Sequence, residues 1–250
     1  MNLTDSSATG SSLLQREPQL FGQTVVVIGG SAGIGLETAR LARDGGAKLV
    51  LAARNPQALQ RAASELGAQH SAALDATDFA QLERFFNELP ARIDHVLLTG
   101  QGPYYATLAE FDFDKARRDV EAHLFLPMQV ARMAMKKVRA GGTLLFMGGT
   151  GGRHTAPGMA LIGALTAAMP ALVRDLALEI APVRVNLIAA GFVDTPLSAS
   201  LLGNQLDARR EQLRTTLPIG RVIGPADLAL FTAACLFEQE MSEGSIDLNF

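Results

Sequence analysis

VVVIGGSAGIGLETA, residues 25–39, runs from a β-branched apolar segment through a glycine-rich turn into a segment with helical spacing. This pattern predicts a strand, a tight turn and a helix. Gly29, Gly33 and Gly35 fall in the turn, where residues without a Cβ let the backbone bend sharply and approach a ligand. A pyrophosphate group could then lie at the N-terminus of the helix, whose backbone N–H groups bind anions. Because a strand and a helix flank the glycines, the stretch favours dinucleotide binding over a simple tight turn.

The same alternation of strand and helix continues along the chain. AKLVLAA is the second predicted strand, and the next helix begins with Asn55 as N-cap and Pro56 at its first position and ends at Gly67. HSAALDA and DHVLLTG are the third and fourth strands, with a helix between them capped by Thr77. Further on, the pattern predicts strands in GGTLLFMGG, VRVNLIAAG and GSIDLNF, and helices at Phe113–Lys137, Ile162–Ala181 and Pro225–Phe237. This order predicts an α/β fold of one domain, with a doubly wound parallel sheet covered by helices on both faces.

Composition narrows the classes of function. Apolar residues make up 48% of the chain and charged residues 19%, which is typical of a globular protein. Lysine and arginine (22) do not exceed aspartate and glutamate (25), so binding to nucleic acid is not expected. A small molecule is the expected partner. Residues 1–20 are predicted to be a flexible tail without a secretory signal, followed by one domain over 21–250. The single cysteine, Cys235, suits a reducing compartment, so a cytoplasmic location is expected.

A long stretch without charge, Thr155–Val173, raises the question of a membrane span. Two prolines and two glycines interrupt it, and alanine dilutes its hydrophobicity. The stretch therefore predicts a buried or subunit-interface helix, and no membrane association. Apolar faces on this helix and on Phe113–Lys137 predict a homodimer or homotetramer.

The glycine spacing, Gly-x-x-x-Gly-x-Gly, resembles that of the short-chain dehydrogenase/reductase family, and the resemblance extends from Phe21 over most of the chain. LDATD is similar to the family segment whose aspartate meets the adenine, and DHVLLTGQG lies where the family has Asn-Asn-Ala-Gly. AAGFVDTPL is similar to the turn that holds the nicotinamide, with Ala190 in place of the family's proline. The resemblance implies a Rossmann-type fold of three layers and a cofactor site formed by Gly29, Ser31, Gly33, Ile34, Gly35, Arg54, Asp75, Ala76, Thr99, Gly100, Gly191, Val193 and Thr195.

The end of the second strand bears on the choice of cofactor. Family members that use NAD have an acidic residue there for the ribose 2′-hydroxyl, whereas this chain has the sequence LAARN. Ala53 carries no charge, and the Arg54 guanidinium can bind a 2′-phosphate through two hydrogen bonds. NADP(H) is therefore the expected cofactor, although a solvated surface arginine is the alternative reading of Arg54. No metal site is expected.

The residues that deliver the proton in the resembled family are missing. Aligned on ALVRDLALEIAP, the family's tyrosine falls on Ile162 and its lysine on Thr166; the serine falls on Gly149 and the helix asparagine on His123. An isoleucine cannot donate a proton. The chain resembles a divergent branch in which tyrosine and lysine are replaced, often with a Gly-Arg-Arg-like loop, to which Gly152-Arg153-His154 is similar.

The proton donor therefore stays unknown, with Thr150, His154 and His123 as candidates. Each has a plain structural alternative: a threonine turned away by one strand position, a loop histidine and a hydrogen-bonded helix histidine. Three functions remain open. The chain could be an NADP(H)-dependent oxidoreductase acting on carbonyl or alcohol groups of a small apolar substrate with atypical catalysis, a silent NADP(H)-binding sensor, or a non-redox enzyme that orients its substrate. The segment at residues 197–221 is expected to form the lid that selects the substrate.

Overall fold

A computed structural model describes residues 20–100, 102–237 and 245–248, and its strands form one parallel sheet. Seven strands lie in the order β3-β2-β1-β4-β5-β6-β7. Their bounds are β1 Thr24–Ile28, β2 Lys48–Ala53, β3 His70–Ala73, β4 Ile93–Leu98, β5 Val138–Gly149, β6 Arg184–Ala190 and β7 Ser245–Leu248. The strand predicted in GSIDLNF is confirmed as β7, which pairs with β6.

Helices connect the strands and cover both faces of the sheet. Their bounds are α1 Gly33–Asp44, α2 Pro56–Leu66, α3 Phe79–Glu88, α4 Phe113–Val120, α5 Leu126–Ala134, α6 Ala160–Glu179, α7 Pro196–Leu202, α8 Leu206–Thr216 and α9 Pro225–Phe237. A π-helical segment, Glu121–Phe125, joins α4 to α5. The bounds of α2 and α9 match the sequence prediction, because Asn55 and the Gly224-Pro225 pair are strong helix-start signals.

Alternating side chains of the strands feed two separate cores. Val25 and Val27 of β1 belong to the core that includes Ala39 of α1 and Leu228 of α9. Their neighbours Val26 and Ile28 belong to the core on the other face, with α3, α5 and α6. Because successive residues of a strand point to opposite faces, this division produces three layers. The predicted three-layer, doubly wound fold is confirmed.

The strand order reverses direction at β1, which lies between β2 and β4. Ile28, the last residue of β1, is in register with Ala52 of β2 and Leu98 of β4. The carboxyl ends of these three strands therefore meet at one edge, with the glycine-rich turn following β1. Ligands of open parallel sheets bind in the crevice formed at such a reversal.

Three predicted helices have wrong boundaries. The N-cap of α3 is Asp78, whose Oδ1 accepts hydrogen bonds from the backbone N–H groups of Ala80 and Gln81. The Thr77 hydroxyl instead donates to Asp75 Oδ1 at 2.8 Å, so it does not cap the helix. The helix predicted over 113–137 is interrupted by the π segment and ends at residue 134, and the one predicted over 162–181 spans residues 160–179.

The predicted tail includes one residue that belongs to the folded domain. Leu20 is fully buried, and its backbone N–H donates to Gly45 O at 3.0 Å. Residues 1–19, which make up the rest of the predicted tail, lie outside the described part of the chain. Leu20 is therefore packed with the folded residues that follow it, and the division of the chain into a tail and one domain stays a prediction.

Helix α6 contains the stretch without charge. Among the described residues it is the one helix long and apolar enough to cross a membrane, with a mean hydropathy of 1.5. The helix packs against β5 and β6, and Ile162, Met169 and Val173 on it are buried. These contacts bury a third of the apolar window of α6, and the rest is not covered within one chain.

A polar cluster lies at the opposite, amino edge of the sheet, around His95. The ring of His95 is 2% exposed, and its Nε2 lies 2.7 Å from Gln23 Oε1. Asp94 accepts a hydrogen bond from Thr24 N and pairs with Arg139. The pKa of His95 is lowered from 6.5 to about 4, chiefly by burial; Asp94 opposes this shift, and the nearby Arg184 and Arg139 guanidinium groups add to it.

We expect this histidine to make the fold less stable in acid. Between pH 6.5 and pH 4 the unfolded chain binds a proton at His95 that the folded chain does not, so the free energy of unfolding falls by up to about 3 kcal/mol across that window. His95→Gln removes the titrating group and should remove this part of the pH dependence. Urea unfolding of both proteins at pH 7 and pH 4.5 measures the difference, and equal pH dependence would contradict the assignment.

Candidate functional site

The turn after β1 is shaped so that only glycine fits at two of its positions. Gly29 has a φ of +92°, and a Cβ there would overlap the hydroxyl of Thr99. A Cβ on Gly35 would overlap the carbonyl oxygen of Gly29. The Thr99 hydroxyl donates to Ile28 O at 3.0 Å, which fixes the end of β4 against the turn. These contacts form a cradle of bare backbone at the N-terminus of α1, as the binding of a pyrophosphate requires.

A cavity of about 360 Å³ opens over this cradle. It contains ten of the thirteen residues predicted to bind cofactor: Gly29, Ser31, Gly33, Ile34, Gly35, Arg54, Ala76, Thr99, Gly100 and Thr195. The other three, Asp75, Gly191 and Val193, do not line it. The carboxylate of Asp75 accepts hydrogen bonds from the backbone N–H and hydroxyl of Thr77, and Val193 is buried. For these three residues a role in binding stays a prediction.

Arg54 stands at the rim of the cavity. It directly follows β2 and is exposed, and among the described residues it has no hydrogen-bond or ion-pair partner. Asn55, beside it, uses its side-chain oxygen to cap α2 through Ala58 N at 2.9 Å. The guanidinium of Arg54 is therefore available to an anionic group in the cavity.

Helix α7 closes one side of the cavity, and side-chain hydrogen bonds fix its start. Thr195 is the N-cap and accepts a hydrogen bond from Ser198 N at 3.2 Å, while Ser198 Oγ contacts Val193 O. From α8, Arg210 donates to both carboxylate oxygens of Asp194 at 2.9 Å. This bidentate contact joins α8 to the segment that carries α7. Residues of α7 line the cavity, and the selection of the substrate by residues 197–221 stays a prediction.

Three positions align with the family's serine, tyrosine and lysine: Gly149 at the end of β5, and Ile162 and Thr166 on α6. None of the three has an ionisable side chain. A Cβ on Gly149 would lie 3.6 Å from Thr166 Cγ2. The Thr166 hydroxyl donates to Ile162 O at 2.8 Å, and Ile162 is 3% exposed. The positions are therefore close to one another in space, but none of the three side chains can exchange a proton at neutral pH.

Two of the candidate donors have different surroundings. Thr150 follows β5 and is 9% exposed, with its backbone N–H donating to Ala190 O. His154 is exposed in the loop that precedes α6. Neither residue lines the cavity, and neither structural environment identifies a proton donor.

Comparison with known proteins identifies the family. A family model described as enoyl-(acyl carrier protein) reductase matches residues 29–243. The chain belongs to the short-chain dehydrogenase/reductase family. It is 28% identical over 229 residues to the short-chain dehydrogenase/reductase malC of Malbranchea aurantiaca, covering 84% of this chain and 86% of that protein.

Solved structures of other proteins share this fold. One is described as the MalC reductase/Diels–Alderase from Malbranchea aurantiaca, with a TM-score of 0.83 at 24% identity, covering 94% of this chain and 98% of that one. Another is an actinorhodin polyketide ketoreductase variant with NADPH, with a TM-score of 0.82 at 21% identity, covering 91% and 95%. At these identities the likeness establishes the shared fold of the short-chain dehydrogenase/reductase family and no more.

The third candidate, His123, has a partner that sequence analysis missed. His123 Nδ1 lies 3.0 Å from Oδ1 of Asp119, whose side chain is 3% exposed. The same oxygen accepts a hydrogen bond from Tyr104 N at 3.2 Å, and Asp119 Oδ2 is buried without a partner among the described residues. Spacing of four residues on a helix places two side chains side by side, so the pair could have been found from the sequence. In the short-chain dehydrogenase/reductase fold of this chain it is the one carboxylate–imidazole pair near α6 among the described residues.

Proposed function

We propose that this chain is an NADP(H)-dependent reductase that acts on a carbonyl group of a small apolar substrate without the tyrosine–lysine pair of its family. The observation that carries the proposal is the glycine cradle, closed by Thr99, with Arg54 unpaired at the rim of the same cavity. NADPH, when bound, would supply the hydride. The backbone N–H groups after Gly29 would hold its pyrophosphate, and Arg54 its 2′-phosphate.

Cofactor choice is expected to depend on Arg54. NADPH should bind at least tenfold more tightly than NADH, a difference of about 1.4 kcal/mol, because only NADPH offers the guanidinium a phosphate. Arg54→Ala should remove that difference while leaving NADH affinity nearly unchanged. Fluorescence titration of both proteins with both cofactors measures it, and equal affinities in the wild type would refute the assignment of Arg54.

Atypical catalysis follows from the residues at the end of β5. A reductase must protonate the oxygen that gains negative charge, and a positioned proton donor typically contributes 10²–10⁴-fold to the rate. Gly149, Ile162 and Thr166 supply no such donor, and the one hydroxyl among them already donates to Ile162 O. Ketone reduction by this chain should therefore be slow unless another group delivers the proton.

A second candidate function is a non-redox reaction in which the protein folds and orients an apolar substrate. The absence of an ionisable group at all three positions favours it, because such catalysis depends on shape and proximity rather than on proton transfer. The similar MalC structure is described as a reductase/Diels–Alderase, so one protein of this fold is named for both a redox and a non-redox activity. A silent NADP(H)-binding protein is the remaining alternative.

Absorbance of NADPH separates these functions. The purified chain is incubated with NADPH and a panel of ketones, quinones and enones, and the decrease in absorbance is followed against a sample without protein. Consumption above background supports the reductase. Tight NADPH binding without consumption of NADPH across the panel contradicts it and leaves the silent or non-redox function.

We expect the protein to assemble as a homodimer or homotetramer. Phe113 of α4, Phe125 of the π segment, Met128 of α5 and Met135 directly after α5 are 67%, 46%, 44% and 50% exposed. About two thirds of the apolar window of α6 is not buried within one chain. Apolar faces of this size are characteristic of subunit interfaces. Light scattering at micromolar concentration measures the mass, and a monomer would count against the prediction.

We also propose a cytoplasmic location. Cys235, the single cysteine of the chain, is fully buried, and burial raises its pKa to about 11. A protonated and inaccessible thiol is inert and forms no disulfide, which is compatible with a reducing compartment. Fractionation of the native cells with an antibody against the chain tests this location.

A further inference from the structure

We propose that Asp119 and His123 form the proton-transfer pair of this chain, with His123 as the proton donor and Asp119 as the residue that positions its imidazole. The inference rests on the proposed reductase function and supplies the donor that positions 149, 162 and 166 lack. It starts from a buried carboxylate that forms no salt bridge with a lysine or arginine among the described residues. Asp119 is 5% exposed and pairs with His123. Burial raises the pKa of the nearby Tyr105, and the negative charge of Asp119 raises it further.

The hydrogen bonds of the pair determine which ring nitrogen exchanges protons. His123 Nδ1 lies 3.0 Å from both Asp119 Oδ1 and the backbone oxygen of Asp119, and both of these atoms are acceptors. Nδ1 must therefore carry a proton, which leaves Nε2 as the nitrogen that gains and loses one. A buried carboxylate that holds Nδ1–H also stabilises the imidazolium form, as in Ser-His-Asp enzymes.

The backbone around His123 is irregular. The residue lies in the π-helical segment Glu121–Phe125 between two regular α-helices. An insertion of this kind rotates the following side chains relative to a continuous α-helix, and π segments are frequent at functional sites. The irregularity thus adds an independent observation to the buried pair.

The position of the pair in the fold connects it to the region of the missing residues. The π segment packs against α6, the helix that carries Ile162 and Thr166. Tyr104, which donates its N–H to Asp119, belongs to the loop that leaves the carboxyl end of β4, the edge at which the cavity opens. In the same loop, Ala106 N donates to Gly158 O at 3.1 Å, so the loop is fixed to the segment that precedes α6.

The proposed proton transfer is balanced as follows. When the substrate carbon gains the hydride, the π electron pair of the C=O bond moves to oxygen. The oxygen then takes the Nε2 proton of the His123 imidazolium, so the N–H bond breaks and an O–H bond forms. The neutral imidazole that remains keeps its proton on Nδ1, which still donates a hydrogen bond to Asp119. The side chain of His123 is 19% exposed, which allows Nε2 to regain a proton from water.

The experiment compares the wild type with His123→Gln and Asp119→Asn, and uses His70→Gln as the matched control because His70 is exposed at the start of the edge strand β3. The first readout is the tautomer of His123, measured in the protein without cofactor by long-range ¹H–¹⁵N NMR. We expect Nδ1–H in the wild type and in His70→Gln, and a reduced share of Nδ1–H in Asp119→Asn because a neutral amide oxygen is a weaker acceptor. The second readout is NADPH consumption with an α-diketone, together with the Kd of NADPH.

The expected result for His123→Gln is a loss of kcat of at least about tenfold with the Kd of NADPH changed by less than about twofold. Asp119→Asn should lose less, and His70→Gln nothing. Unchanged turnover in a folded His123→Gln protein would overturn the pair while leaving the reductase intact. If His123→Gln does not fold, the proposal is tested by the tautomer of His123 in the wild type and in Asp119→Asn. A neutral imidazole with its proton on Nε2 in the wild type overturns the proposal.

A different result identifies failure of the proposed function itself. A wild type that binds NADPH but consumes it with no acceptor of the panel contradicts the reductase. The NMR readout then decides the pair without any turnover, since the Nδ1–H form and its dependence on Asp119 are properties of the protein alone. The two failures are therefore distinguishable.

Discussion

Gly35→Ala is expected to weaken NADPH binding by about a hundredfold. The added Cβ would occupy the place of the Gly29 carbonyl oxygen, and both groups belong to the backbone, so neither can rotate away. Overpacking of this kind costs about 1–3 kcal/mol, and a displaced turn at the upper end of that range corresponds to about a hundredfold in affinity. Fluorescence titration with NADPH measures the loss.

A matched control separates this effect from a general response to an extra methyl group. Gly224→Ala changes a glycine of another loop, where the new Cβ would meet nothing closer than Asp227 Oδ2 at 3.8 Å. Its NADPH affinity and melting temperature should equal those of the wild type. Undiminished NADPH affinity in a folded Gly35→Ala protein would mean that the pyrophosphate does not lie on this turn.

The fold could be predicted from sequence because its decisive signals are local. Asn55 followed by proline, and glycine at the end of α2, act within one helical turn, and both ends of that helix were predicted correctly. The cap of α3 was not, since Asp78 and Thr77 are adjacent and both are good caps. The choice depends on which side chain Asp75 engages, and its carboxylate accepts both the N–H and the hydroxyl of Thr77.

The irregular middle of the α4–α5 region could not be predicted in the same way. Residues 113–134 have an apolar pattern that continues through the π segment, so periodicity indicates one helix. The π segment packs against α6, and a single-sequence pattern does not contain tertiary contacts of this kind. For the same reason the sequence identifies His123 only as a candidate proton donor. The burial of its partner Asp119 is visible only in the structure.

The residues that line the cavity could be predicted where they directly follow the strands next to the reversal. They were predicted less well after β6, which lies further away. The glycines, Arg54 and Thr99 directly follow β1, β2 and β4, and the parallel sheet brings these strand ends together. Gly191 and Val193 follow β6, two strands further from the reversal, and they do not line the cavity. Thr195, two residues later, lines the cavity together with Pro196, Leu197 and Ser200, because α7 returns across the opening.

The proximity of positions 149 and 166 makes a gain-of-function experiment possible. In a His123→Gln background, which lacks the proposed proton donor, Gly149→Ser, Ile162→Tyr and Thr166→Lys together are expected to raise NADPH-dependent reduction of a small activated ketone by at least about a hundredfold, the lower limit of what a positioned acid contributes. A Cβ on Gly149 would meet Thr166 Cγ2 at 3.6 Å and Ala190 O at 3.9 Å, which are ordinary contacts, so position 149 has room for a Cβ. Turnover is measured by NADPH absorbance at saturating ketone.

Ile162→Tyr alone should stay near the wild-type rate, because a tyrosine needs the neighbouring lysine to lower its pKa and the serine hydroxyl to orient the substrate oxygen. Ile162 is 3% exposed, so the larger ring strains the core by about 1–3 kcal/mol, and thermal unfolding must first establish that the triple variant is folded. If the wild type already reduces such ketones at about 1 to 10³ s⁻¹, the usual range of enzymes, this chain does not need a tyrosine–lysine pair. The proton would then come from another group, and the loss of that rate in His123→Gln, His154→Ala or Thr150→Val would identify which one supplies it.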